Sequence, residues 1–329
     1  MPTLLVTSRM SPQLAARVLA AVRGEHGGGA SRQRPLKALL RLLTVAALIS
    51  SVSLFAYYRS KSTTELGQAR SALLGAMLQQ SSRLTRTDTE LAGRVEAAVA
   101  LHSAPTYAGD QIADDLRTDT QLAAALSQPT LYLRGPLDGL SRPGRIAELA
   151  ASSFNDAFVL CLLTPPDTRT EKALRVKASA AGAQGPSMQV AAHIERVEPL
   201  LRALPFLGPA FKARVVAAES SASVATLQRY FESAPIAAAV RAAKARQLLL
   251  VIDEPGDAKG PTELDGERPH PVRIVLQDLS NDEVRLRLRR GVDPGWLSDN
   301  ARALFANGID SCALALDVRT ALSARQAQP

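Results

Sequence analysis

Aromatic side chains are scarce in this 329-residue chain, which has seven Phe, five Tyr and one Trp. A surface that stacks nucleic-acid bases needs exposed aromatics, so little is available to build one. The core must instead be made of Leu, Val, Ile and Ala. Histidine is also sparse. His26, His102, His193 and His270 lie more than 60 residues apart, which excludes HExxH and related metal-binding spacings. His193 and Glu195, with Glu198 nearby, fall on a predicted helix, where i and i+2 face different sides and read as surface. His270 stands between two prolines and reads as a loop residue. No Gly-Lys pair occurs, so the phosphate-cradling loop of nucleotide hydrolases is missing, and no GxGxxG turn replaces it. Neither Gly-x-Ser-x-Gly nor Ser-x-x-Lys is present to mark an activated serine. No catalytic residue, metal or cofactor is expected on these grounds.

Lysine is rare as well, 7 against 32 Arg, a bias that fits a GC-rich genome. The net charge of +8 is concentrated at one end: residues 1–59 carry eight basic residues and one acid, Glu25. The remainder is nearly balanced, with 31 basic and 30 acidic residues, unlike a domain made for a phosphate backbone. No nucleic-acid partner is expected.

The chain does contain a long apolar run. Residues 42–58, LLTVAALISSVSLFAYY, hold 17 residues without a charge, and starting at Leu36 extends the span to 23. About 20 residues cross a bilayer core. Lys37 and Arg41 would snorkel toward head groups, and Phe55, Tyr57 and Tyr58 fall at an interfacial belt. Five basic residues between Arg23 and Arg41, against Arg59 and Lys61 afterwards, predict a cytoplasmic N-terminus and an extracytoplasmic remainder in a cell inner membrane. Cleavage as a signal peptide after a small-x-small site at Ser51-Val-Ser53 is the alternative, and it would require an n-region of some 41 residues.

Four segments follow. Residues 1–35 form a cytoplasmic tail, with a short amphipathic helix opening at Ser11-Pro12 and a basic linker; this helix is a candidate docking site for a protein partner. Residues 36–58 are the transmembrane helix. Residues 59–104 are a helical stalk, one long polar helix over 62–103 in which Met77, Leu84, Leu91 and Ala98 recur seven apart. That weak seam is compatible with a homodimer through the stalk or with folding back onto the next domain. Residues 105–329 alternate strand and helix signals and predict an extracytoplasmic α/β domain of one or two subdomains, with a mixed, mostly buried sheet and flanking helices.

The strand candidates are 130–134, 157–164, 247–253, 272–279 and 284–290, with 212–218 and 309–318 weaker. Helices are expected at 110–127, 143–153, 168–180, 188–204, 221–245 (broken at Pro235) and 294–306. The stretches 178–187 and 255–271 read as the loosest parts.

Within 247–257, QLLLVIDEPGD, an apolar strand ending in acids resembles a Walker B strand, but Asp253 alone cannot bind a nucleotide. Strand carboxyl ends are where ligands bind in open α/β sheets, so Asp253 and Glu254 form a candidate carboxylate pair or a solvated strand end. Alternation in 284–290 places Arg285, Arg287 and Arg289 on one face, with Arg273 from the partner strand, either to hold an anion or an acidic partner or to keep an edge soluble. Cys161 and Cys312, each predicted to point inward from a strand, either pair as a disulfide or remain buried thiols. These features favour a membrane-anchored, non-enzymatic binding, sensing or envelope-scaffold module. A membrane-anchored envelope hydrolase using the carboxylates at the strand end is the alternative.

Overall fold

The computed structural model describes residues 34–142, 144–152, 157–183, 193–255, 269–298 and 309–324. The expected tail helix, and residues 184–187 and 256–268 of the two stretches expected to be loose, lie outside the described residues; 178–183 are helical. Contacts divide the chain into two units, residues 1–61 and 62–329. In the first unit the described residues are helical and belong to α1 (Arg34–Ser81). Among the described residues this helix is the one long and apolar enough to cross a membrane. Over residues 42–58 its large apolar side chains are uncovered: Leu48 is 64% exposed and Phe55 67%.

The expected single helix over 62–103 is interrupted. After α1 the chain turns at 82–85 and starts again as α2 (Arg86–His102). Thr85 sets the new start through a capping box: its amide donates to Asp88 Oδ2 at 2.6 Å, and its hydroxyl accepts from the Asp88 amide at 3.3 Å. The seven-residue seam is used within the chain. Met77, Leu91 and Ala98 are buried in the domain core together with Leu73, Val95 and Val99.

That core lies on one face of a six-stranded sheet. In chain order the domain continues with β1 (Gln111–Ile112), α3 (Asp119–Leu126), β2 (Thr130–Pro136), α4 (Leu137–Leu140), α5 (Ile146–Ser152), α6 (Phe158–Leu163) and α7 (Glu171–Ala183). Then come β3 (Ile194–Arg196), α8 (Val197–Ala203), α9 (Pro209–Ala217), α10 (Ser221–Ser233) and α11 (Ile236–Ala242). β4 (Gln247–Asp253), β5 (His270–Asp278), β6 (Val284–Val292) and α12 (Ile309–Ala324) complete it. The strand order is β1-β6-β5-β4-β2-β3. β2 runs parallel to β3 and β4, and the β4–β5, β5–β6 and β6–β1 pairs are antiparallel. The sheet is mixed, with helices against both faces.

Strand alternation assigns each side chain to a layer. Leu131, Leu133, Leu248, Leu250 and Ile252 pack with α2 and α8–α11. Tyr132, Leu249, Val251, Ile274, Leu286 and Leu288 pack with α3, α6, α7 and α12. All seven residues of β4 are buried, which explains its unbroken apolar run. The β5–β6 hairpin turns at Asp282, the one non-glycine residue with positive φ (60°) among the described residues.

Three predicted strands are helices. In 157–164 α6 is covered on most sides, with Phe158, Val159, Cys161 and Leu162 all buried, so no period survives in the sequence. In 309–318 the alternation of Cys312, Leu314, Leu316 and Val318 coincides with a helical stripe: Ser311, Leu314, Ala315, Val318 and Leu322 are buried at spacings of three and four. Residues 212–217 of the third segment belong to α9, which has Pro209 in its first turn and buries Phe211 and Val215. Two short edge strands, β1 and β3, occupy ground expected to be helical. His193 and Glu195 therefore sit in a turn and in β3, where Glu195 accepts from Arg241 Nε at 2.9 Å. Of the expected helix 294–306, the described part is a 3-10 turn at Pro294–Trp296.

Candidate functional site

Buried charge gathers at the carboxyl ends of β2 and β4. Asp253 and Glu254 are consecutive and point to opposite faces, so they do not form the candidate carboxylate pair, and both are buried, so the alternative of a solvated strand end does not hold either. Each carboxylate heads its own network.

On the α12 side, Arg134 of β2 meets Asp253 edge-on. Nε donates to Oδ2 at 2.9 Å and Nη2 to Oδ1 at 2.8 Å, with Arg134 4% exposed and Asp253 fully buried. Nη1 of Arg134 donates to the Ser311 hydroxyl on α12. His270 is the first residue of β5 and not a loop residue, and its Nε2 lies 3.2 Å from Asp253 Oδ1. An ionised carboxylate can only accept, so that nitrogen carries the proton. Burial alone would raise the Asp253 pKa. The Arg134 charge and hydrogen bonds, helped by His270, outweigh burial and hold it below the ordinary carboxylate value.

On the α2 side, Glu254 bridges two arginines, accepting from Arg273 Nε on one oxygen and from Arg289 Nη2 on the other. Arg273 and Arg289 are direct cross-strand partners, a placement that repels without a counter-ion between them. Arg273 also donates to the carbonyls of His102 (3.2 Å), Ala104 (2.6 Å) and Pro105 (3.1 Å), which fastens the exit of α2 to the sheet. The Tyr107 ring lies under both guanidiniums, 5.7 Å from Arg273 and 5.9 Å from Arg289. Its hydroxyl donates to Asp110 at 2.5 Å. Burial first, and then the Asp110 carboxylate, push the tyrosine pKa up. Asp110 accepts from Arg290 at 2.7 Å and from the Arg289 amide at 3.0 Å. Burial works against ionisation of Asp110, but these donors prevail and its pKa is lowered.

The arginine row is therefore heavily engaged. Arg285 pairs with Asp115, at 2.5 Å. Arg287 differs: Nε donates to the Gly109 carbonyl at 2.8 Å and Nη2 to Gln111 Oε1 at 3.1 Å, and among the described residues no carboxylate opposes it. It lines a cleft of about 110 Å3 with His102, Thr106, Tyr107, Val275 and Val284. His102 Nε2 bonds Gln277 Oε1 at 2.8 Å. Burial, together with the Arg287 and Arg273 charges, lowers the His102 pKa, so it is neutral at pH 7.

Cys161 and Cys312 form a disulfide with a Cα–Cα distance of 5.1 Å, joining α6 to α12. Among the described residues no group of three or more His, Cys, Asp or Glu side chains could hold a metal ion.

Arg134 and Tyr107 escaped the sequence reading. A charge inside the apolar strand TLYLRG was the available signal, because a buried Arg demands a buried acid and Asp253 closes the neighbouring apolar strand. No family model, curated protein or solved structure matches the chain.

Proposed function

We propose that this is a single-pass inner-membrane protein with a cytoplasmic N-terminus, whose α/β domain acts outside the cytoplasm as a non-enzymatic binding, sensing or envelope-scaffold module. One observation carries the non-enzymatic part. Both carboxylates at the sheet edge are neutralised by arginines and face away from each other, so neither is placed for acid–base or nucleophilic work. The disulfide supports the compartment, since such bonds persist where the environment oxidises. The uncovered apolar length of α1 supports the anchor.

A reporter fused after Pro329 is expected to be active only in a form that works outside the cytoplasm; activity of a cytoplasm-only reporter would overturn the topology. The full chain in detergent micelles, offered chromogenic esters, phosphoesters and glycosides, is expected to turn over none. Hydrolysis that disappears in Glu254→Gln or Asp253→Asn would establish the hydrolase instead.

A further inference from the structure

We propose that the cleft between the end of α2 and the β5–β6 hairpin is a binding site for a small carboxylate carrying a short apolar body. The inference rests on the reading of the domain as a binding module and adds the ligand class. Its first support is charge. Arg287 is half-buried and, among the described residues, without an acidic partner, whereas Arg273, Arg285, Arg289 and Arg290 each have one. The Arg287 Nε is part-buried while its amino groups reach the solvent side of the cleft, where an incoming anion can supply the counter-ion it lacks. The other titratable groups facing the cleft do not supply the missing charge. His102 is neutral, the Tyr107 hydroxyl is kept protonated, and Glu254 and Asp110 are taken by Arg273, Arg289 and Arg290.

The second support is the set of donors and walls. Nη1 of Arg287 and the Thr106 hydroxyl make no hydrogen bond among the described residues, and both residues line the cleft. Val275 and Val284 on the hairpin are its apolar walls, and Leu101, 64% exposed, stands at its edge. Positive charge beside aliphatic surface suits an anion with an apolar tail better than inorganic phosphate. The third support is size. A cleft of about 110 Å3 is well below the roughly 300 Å3 at which drug-sized pockets begin. It admits either a free short-chain acid or the terminal carboxylate of a peptide ending in a small apolar residue.

The test uses the full chain in detergent micelles and calorimetric titration with butyrate, with butyramide, and with Gly-Gly-Val as the free acid and as the amide. Butyrate is expected to bind saturably in the millimolar range and butyramide not at all. Tighter binding of the free peptide than of butyrate identifies a chain terminus as the source; the reverse identifies a free acid. Arg287→Gln is expected to weaken binding about tenfold or more, the ordinary effect of losing a charged hydrogen bond. Leu101→Asp changes an exposed edge residue, spares the fold, and is expected to weaken binding by a similar factor through repulsion. Absence of saturable binding to either carboxylate, equal binding of butyramide, or unchanged affinity in Leu101→Asp would overturn the proposal. Failure here leaves the non-enzymatic reading standing, because that reading depends on the turnover assays.

Discussion

Replacing Asp253 with Asn tests whether the Arg134–Asp253 pair is the polar keystone of the sheet edge. The substitution keeps the shape but removes the charge that two guanidinium hydrogen bonds at 2.8 and 2.9 Å are aimed at. With Arg134 4% exposed and Asp253 fully buried, water cannot replace the lost partner. Breaking such a pair from one side costs about 3–5 kcal/mol, a large part of the ~5–15 kcal/mol that holds a domain together. For a domain of this size the midpoint should fall by roughly 10 °C or more. Trp296 is the only tryptophan in the chain, so its fluorescence follows the domain and ignores the apolar length of α1. Because the Asp253 pKa is lower folded than unfolded, its contribution is complete above about pH 4 and is lost as pH falls through the folded value. The gap between wild type and variant should therefore narrow below pH 4. Removing both charges, as Arg134→Met with Asp253→Asn, should cost less than the two single changes added together. A single variant within about 1 kcal/mol of wild type, or strict additivity in the pair, would refute the argument.

Two further outcomes follow from the same core. Replacing both Cys161 and Cys312 with Ala opens a loop with a sequence separation of 151 and should cost about 2–5 kcal/mol, read by the same fluorescence melt; a loss under ~1 kcal/mol would count against the bond. Gln247 is fully buried, and among the described residues neither its amide oxygen nor its amide nitrogen has a hydrogen-bond partner, so Gln247→Leu should raise stability by about 1 kcal/mol in urea unfolding, and a loss would show the amide to be satisfied.

The sequence disclosed some layers of this fold and concealed others for physical reasons. β2, β4 and the β5–β6 hairpin were legible because strand length, β-branched content and the 280–282 turn agreed. Helices α6 and α12 were not, because a helix covered on most sides loses the stripe that marks it, and in α12 what remained imitated a strand. The break before α2 was written as Thr85-x-x-Asp88, a capping box hidden by the seven-residue seam running through it. At the candidate site the acids and arginines were visible one by one. Their partners were not, since Arg134 lies 119 residues from Asp253 and Arg273 lies 169 from Ala104, separations that only the sheet order brings together. The row Arg285, Arg287 and Arg289 was correctly on one face, but that face is partly roofed by the segment leaving α2.

The Cys161–Cys312 bond also divides the chain into what it encloses and what it does not. Strands β3 to β6 lie inside the covalent ring, and β1 and β2 lie outside it. A single backbone cut anywhere between the two cysteines leaves one covalent molecule, visible as two pieces only after reduction. A cut before Cys161 separates the chain at once. The ring also gives a direction in time. Cys312 leaves the ribosome after all six strands, so closure seals a sheet that can already have paired. With two cysteines in the sequence, the one competing bond is to another molecule.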